Sequence, residues 1–273
     1  MDKALSQSSI GVETGLLQFL TVGDGAAARR IAYRLRPALE KGRGLPGLVW
    51  LCGFKSDMAS TKATYFDHWA AEVGRALLRF DYSGHGVSDG AFERGTIGRW
   101  LEESLAVIGT LSRGRQILVG SSMGGWLALL CARAFAARGE ADRLAGLVLI
   151  APAVDFTEKL IWERLPADAR RKIEREGAWL RPSAYSPEPY VITRELIEEG
   201  RRHLLLDDTI RTHCPVHILQ GMQDEDVPWR HALRLLEHVA GDPVTLTLIK
   251  DGGHRLSREG DLERLKAAIA RVG

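Results

Sequence analysis

The 273-residue sequence predicts an α/β protein: one mostly parallel sheet of eight strands, helices on both faces, and a small helical lid insertion past the middle of the chain. Two observations carry this. Short apolar runs alternate with helical stretches long enough to serve as the crossovers that parallel neighbours require. Most of those runs are near-continuously apolar, as strands buried on both faces must be. Composition agrees, since 45% hydrophobic and 26% charged residues suit a chain that buries a sizeable core.

In chain order, residues 16–22 (LLQFLTV) and 30–36 (RIAYRLR) read as two strands joined by GDGAAA, whose Asp24-Gly25 pair favours a turn between antiparallel partners. Strands follow at 47–52 (GLVWLC), 76–81 (ALLRFD), 116–120 (QILVG), 145–151 (AGLVLIA), 216–220 (VHILQ) and 244–250 (VTLTLIK). Helical stretches lie at 62–74, 97–111, 123–138, 229–239 and 260–272. Residues 153–212 break the rhythm, with charged helical pieces around a Pro-rich centre (RPSAYSPEPY) and no convincing strand. A structureless loop of that length is out of keeping with a compact domain, so it reads as a helical cap over one end of the sheet. The division expected is a catalytic domain of residues 1–152 and 213–273 and a cap of residues 153–212.

Net charge is 37 − 35 = +2 with the signs interspersed, which leaves no basic footprint for nucleic acid. Cys52, Cys131 and Cys214 are odd in number, far apart and without zinc spacing, so they read as reduced thiols. The N-terminal stretch carries no signal-peptide run and no Arg before Arg29, and no apolar stretch of the chain is long enough to span a bilayer. A cytoplasmic protein is expected on these grounds.

Gly120-Ser121-Ser122-Met123-Gly124 matches G-x-S-x-G, the turn that exposes a serine hydroxyl between a strand and a helix. The bare pattern arises by chance about 0.15 times in a chain of this composition, so its context decides. Strand QILVG runs into it and the apolar stretch WLALLCARAF leaves it, which makes Ser122 the candidate nucleophile. A serine needs a base, and His254 follows the last strand at the carboxyl end of the sheet, whereas His213 and His217 flank the entry to a strand, His68, His231 and His238 fall on helices and His203 in the insertion. The group that orients the base is expected at Asp224, in the loop after VHILQ, with Asp226, Glu225 and Asp155 as alternatives. Two backbone N–H groups should hold a developing oxyanion, those of Met123 and of Phe54 in the loop after the third strand.

The set Cys52-Gly53-Phe54, RFDYSGHGVSDG (79–90), ILVGSSMGGWL (117–127), PSAYS (182–186), GMQDEDVPW (221–229) and His254-Arg255 resembles the α/β-hydrolase superfamily of serine hydrolases across almost the whole chain. Within it the longer strings are most similar to a mitochondrial acyl-protein thioesterase and acyl-glucuronide esterase of animals. The resemblance implies Ser122, Asp224 and His254 as a triad acting on carboxylic esters or thioesters. Cys52 departs from the His that many members carry before the oxyanion glycine. The chemistry calls for no cofactor and no metal, and the expected partner is a small acyl ester or thioester, or an acylated protein. Two further readings use the same residues: cleavage of another bond (a peptidase, lactonase or carbon–carbon hydrolase), or ligand binding without turnover. Trp126 and Trp229 beside the site, and Phe156, Leu160, Trp162, Trp179, Leu180, Tyr185 and Tyr190 in the insertion, suit either packing or an acyl pocket.

Overall fold

A computed structural model describes residues 15–181, 189–240 and 243–273. Strands β1 (Leu17–Val22) and β2 (Arg29–Arg36) form an antiparallel hairpin, with Leu17 opposite Arg34 and Val22 opposite Arg29. Then follow β3 (Gly47–Leu51), α1 (Thr61–Val73), β4 (Leu77–Phe80), α2 (Ile97–Leu111), β5 (Gln116–Ser121), α3 (Met123–Ala137) and β6 (Leu144–Ile150). The sheet closes with β9 (Val216–Gly221), α6 (Trp229–His238), β10 (Val244–Ile249) and α7 (Glu259–Val272). Strand order is β1-β2-β4-β3-β5-β6-β9-β10, antiparallel as far as the β2–β4 pairing and parallel from β4 onward.

That order contains a reversal. From β3 the chain steps one way to β4, then crosses back to β5 on the other side of β3. Right-handed crossovers in opposite directions place their helices on opposite faces, and they leave a crevice at the carboxyl ends of β3 and β5 where the direction changes. α1 packs with α7 and α2 with α3. The central strands β3, β5 and β6 are buried along their full length, and α3 buries nearly every residue of its first ten, which explains apolar runs without alternation.

The segment between β6 and β9 departs from the expected cap in one respect. It holds a π-helical turn at Thr157–Ile161, α4 (Ala167–Glu176) and α5 (Arg194–Gly200), but also two strands, β7 (Ala178–Arg181) and β8 (Tyr190–Thr193), paired antiparallel. The expectation of no strand in 153–212 is therefore corrected. Four-residue strands flanked by charged helices are too short for a period of two to stand out. The PSAYS string and Tyr185 lie outside the described residues.

Asp155 ties the two ends of this segment to each other. It is fully buried, holds a left-handed φ of 55°, and its carboxylate accepts from the N–H groups of Leu205 and Leu206 at 2.8–3.1 Å. Its own carbonyl accepts from Glu158 and Lys159.

Candidate active site

The turn from β5 into α3 is tight because glycine permits it. A Cβ on Gly120 would stand 2.3 Å from the carbonyl oxygen of Gly124, and one on Gly124 would stand 2.1 Å from that of Leu51. Between them Ser122 adopts φ 55°, ψ −118°, a conformation costing about 1–3 kcal/mol for a non-glycine residue. Its N–H donates to Ile150 on β6, and its carbonyl accepts from Gly125 and Ala153. These bonds fix the backbone, so the hydroxyl projects from the carboxyl end of the sheet.

His254 reaches that hydroxyl from the loop after β10. Its Nε2 lies 3.1 Å from Ser122 Oγ and its Nδ1 lies 2.8 Å from Asp224 Oδ2. The two loops are stitched together: Met222 N–H donates to Ile249, Gln223 N–H to Gly252, and a Cβ on Gly221 would collide with the Gly252 carbonyl at 2.3 Å. Asp224 has no exposed side-chain surface. Its Oδ1 accepts from the N–H groups of Asp226 and Val227 at 3.0 and 2.8 Å, and its Oδ2 accepts from Gln220 Nε2 at 3.0 Å as well as from the imidazole. Four donors fix this buried carboxylate in place, with Oδ2 turned to the imidazole it orients. Asp155, the alternative outside this loop, is committed to Leu205 and Leu206, and burial pushes its carboxyl up.

The loop after β3 closes the other side. A Cβ on Gly53 would stand 3.3 Å from Ser122 Cβ, so only a small residue lets this backbone approach the nucleophile. Met123 is the first residue of α3, where an N–H has no intrahelical partner. Among the described residues the N–H of Phe54 donates to no protein acceptor. The loop is anchored from behind by the 79–90 string: Asp81 Oδ1 accepts from Met58 N–H at 2.6 Å, Oδ2 from Val87 N–H at 3.0 Å, and His85 Nε2 from Lys55 N–H at 3.2 Å. Burial holds the His85 imidazole down at about 4, so it stays neutral, accepts at Nε2 and donates from Nδ1 to the Ser83 carbonyl. Sequence reading singled out neither the supporting role of His85 nor Gln220; the signal for the latter is a lone amide ending an apolar strand just before the acid loop.

Ser122 and His254 open into a cavity of about 630 Å³. One wall is apolar, made by Phe54, Phe156, Leu160, Ile161, Tyr190 and Ile192; the lining also includes Lys55, Asp57, Lys62, Arg181 and Arg255. The ring of Phe54 packs on Phe92, Trp100, Phe156 and Tyr190, so it fills core and lines the cavity at once. Trp126 is fully buried, donates to the His203 carbonyl and stacks edge-on against Phe156, which is packing. Trp229 begins α6 beneath the Arg230 guanidinium. Trp162 and Trp179 pack against the core, while Leu180 is exposed. Asp224, Asp226 and His254 present ligand atoms within 4.8 Å of one another, but the first and last already bond each other, and the imidazole also bonds Ser122.

A family model, that of the alpha/beta hydrolase family, matches residues 42–267. The chain belongs to the alpha/beta hydrolase family. Among its relatives, the mitochondrial palmitoyl-protein thioesterase ABHD10 of Bos taurus is 38% identical over 247 residues, covering 88% of this chain and 78% of that protein. The Homo sapiens protein of the same name is 37% identical, covering 82% and 72%. Of the solved alpha/beta hydrolase structures, that of mouse ABHD10 superposes with a TM-score of 0.82 at 34% identity, covering 94% of this chain and 98% of its own. A hydrolase structure from Agrobacterium vitis S4 gives 0.90 at 48% identity with the same coverage. These relatives correct one expectation: the Bos taurus and Homo sapiens proteins are both named as mitochondrial, which overturns the cytoplasmic placement. That placement rested on the three cysteines, on the lack of an apolar span and on the composition of the N-terminal stretch, of which residues 1–14 lie outside the described ones.

Proposed function

We propose that this alpha/beta hydrolase is a serine hydrolase of carboxylic esters and thioesters that works through an acyl-enzyme on Ser122. The observation that carries this reading is the relay from Ser122 Oγ to His254 Nε2 at 3.1 Å and from His254 Nδ1 to Asp224 Oδ2 at 2.8 Å, at the end of a cavity with one apolar wall. The names of the relatives, palmitoyl-protein thioesterases, favour an acyl thioester as the bond cleaved.

In this mechanism His254 removes the proton from Ser122 as the hydroxyl attacks the acyl carbonyl, and Asp224 stabilises the imidazolium. The N–H groups of Phe54 and Met123 donate to the oxyanion. His254 then protonates the leaving thiol or alcohol, and water repeats the cycle on the acyl-enzyme. The acyl chain lies along Phe156, Leu160, Ile161 and Ile192, with residues 153–212 acting as the lid of a catalytic domain formed by 1–152 and 213–273.

The test is a panel of acyl thioesters and esters of rising chain length against wild type and Ser122→Ala. Wild type should turn them over, and the variant should lose on the order of 10⁶ in kcat. A variant within tenfold of wild type would remove Ser122 from the mechanism.

A further inference from the structure

We infer that Gln220 is a positioning residue for catalysis, holding the Asp224 carboxylate in the rotation that presents Oδ2 to His254; this rests on the triad proposed above. Gln220 is fully buried at the end of β9, four residues before Asp224. Its Nε2 lies 3.0 Å from Asp224 Oδ2, 3.1 Å from the Gly221 carbonyl and 2.9 Å from the Val227 carbonyl. With two N–H bonds shared among these three acceptors, the amide nitrogen links the acid loop at its first residue, at the carboxylate and at its far end.

The orientation of this amide follows from its surroundings. Three acceptors converge on the nitrogen; an oxygen in its place would face three lone pairs and a negative charge. Its own oxygen, Oε1, is buried with no partner among the described residues. An orphaned buried acceptor is destabilising, and an apolar side chain of equal size would avoid it. A residue that merely filled space at this strand end would not carry that penalty, so the work of the group lies in the nitrogen.

Oδ1 is held by backbone N–H groups, which fixes one end of the carboxylate. The other end, Oδ2, bonds only side chains among the described residues: the imidazole it must orient and Gln220. Without the amide, rotation about the Asp224 side chain has one restraint fewer on the oxygen that matters. Loss of alignment slows both proton transfers of His254 while leaving the acyl cavity untouched, because Gln220 does not line it.

The experiment is a double-mutant cycle of Gln220→Met, nearly isosteric but without donors, with Asp224→Asn, read on a short acyl thioester. Expected are a fall of about tenfold in kcat for Gln220→Met with KM unchanged, a fall of about 10⁴ for Asp224→Asn, and a double variant within about twofold of Asp224→Asn alone. The low-field proton resonance of the His254 Nδ1–H should shift in Gln220→Met. Should the Met variant not fold, Gln220→Asn keeps a polar amide but withdraws it by one methylene, with the same expectations. A folded variant with wild-type kcat, a rise in KM as the main effect, or a further tenfold loss on top of Asp224→Asn would overturn the role. If Asp224→Asn alone leaves kcat unchanged, it is the triad reading that fails.

Discussion

His85 stands behind the loop that carries Phe54, and its environment has a measurable consequence. Its folded pKa of about 4 lies below the 6.5 of free histidine, so the unfolded chain binds its proton first as pH falls. Its contribution to stability is present above pH 6.5 and is lost between 6.5 and about 4, amounting to ~3 kcal/mol. His85→Gln keeps an acceptor for Lys55 without the proton, and urea unfolding at pH 7 and pH 4.5 should show that variant losing less stability than wild type. Equal losses would contradict the buried, neutral imidazole. Asp81 and Asp155 act with the opposite sign, since burial raises both, and they cancel in the comparison. The two candidate acids part just as clearly. Asp155→Asn should cost about 1–3 kcal/mol of stability and leave kcat within twofold, whereas Asp224→Asn should spare stability relative to its loss in kcat. At this scale Ser122, Asp224 and His254 were legible because each follows a strand at the same sheet end. Gln220 was not, because a side chain that acts on another side chain leaves no spacing pattern.

Among the elements, the β5–α3 turn and helix α2 make opposite demands on glycine. Gly124→Ala would drive a Cβ onto the Leu51 carbonyl, separate α3 from β3 and cost about 3 kcal/mol, with activity falling alongside. Gly109→Ala, at an exposed position of α2 with nothing within 4 Å, should gain about 0.5–1 kcal/mol with unchanged turnover. Thermal melts of the two variants check both signs. The same contrast explains what the sequence reveals of elements. Strands such as β6 are readable because burial on both faces forces a continuous apolar run. β7 and β8 are not, since they are four residues long and only partly buried, so neither alternation nor a run develops.

For the molecule as a whole, strand order carries the site: the reversal around β3 brings the Phe54 loop and Ser122 together, and β9 and β10 deliver Asp224 and His254 to the same edge. The segment between β6 and β9 is fastened at both ends by Asp155 and roofs the apolar wall with Leu160 and Ile192. Leu160→Asn should therefore raise KM for long-chain substrates about tenfold and leave acetyl substrates nearly unchanged, in a chain-length series. Near-zero net charge, informative only against nucleic acid at the outset, is consistent with an acyl substrate held by apolar contact. The most direct test of the central claim is covalent: treat the protein with a fluorophosphonate and map the adduct by mass spectrometry. The adduct should form on Ser122, be absent in Ser122→Ala and be strongly slowed in His254→Ala. Labelling at another serine, or undiminished labelling of Ser122→Ala, would contradict it.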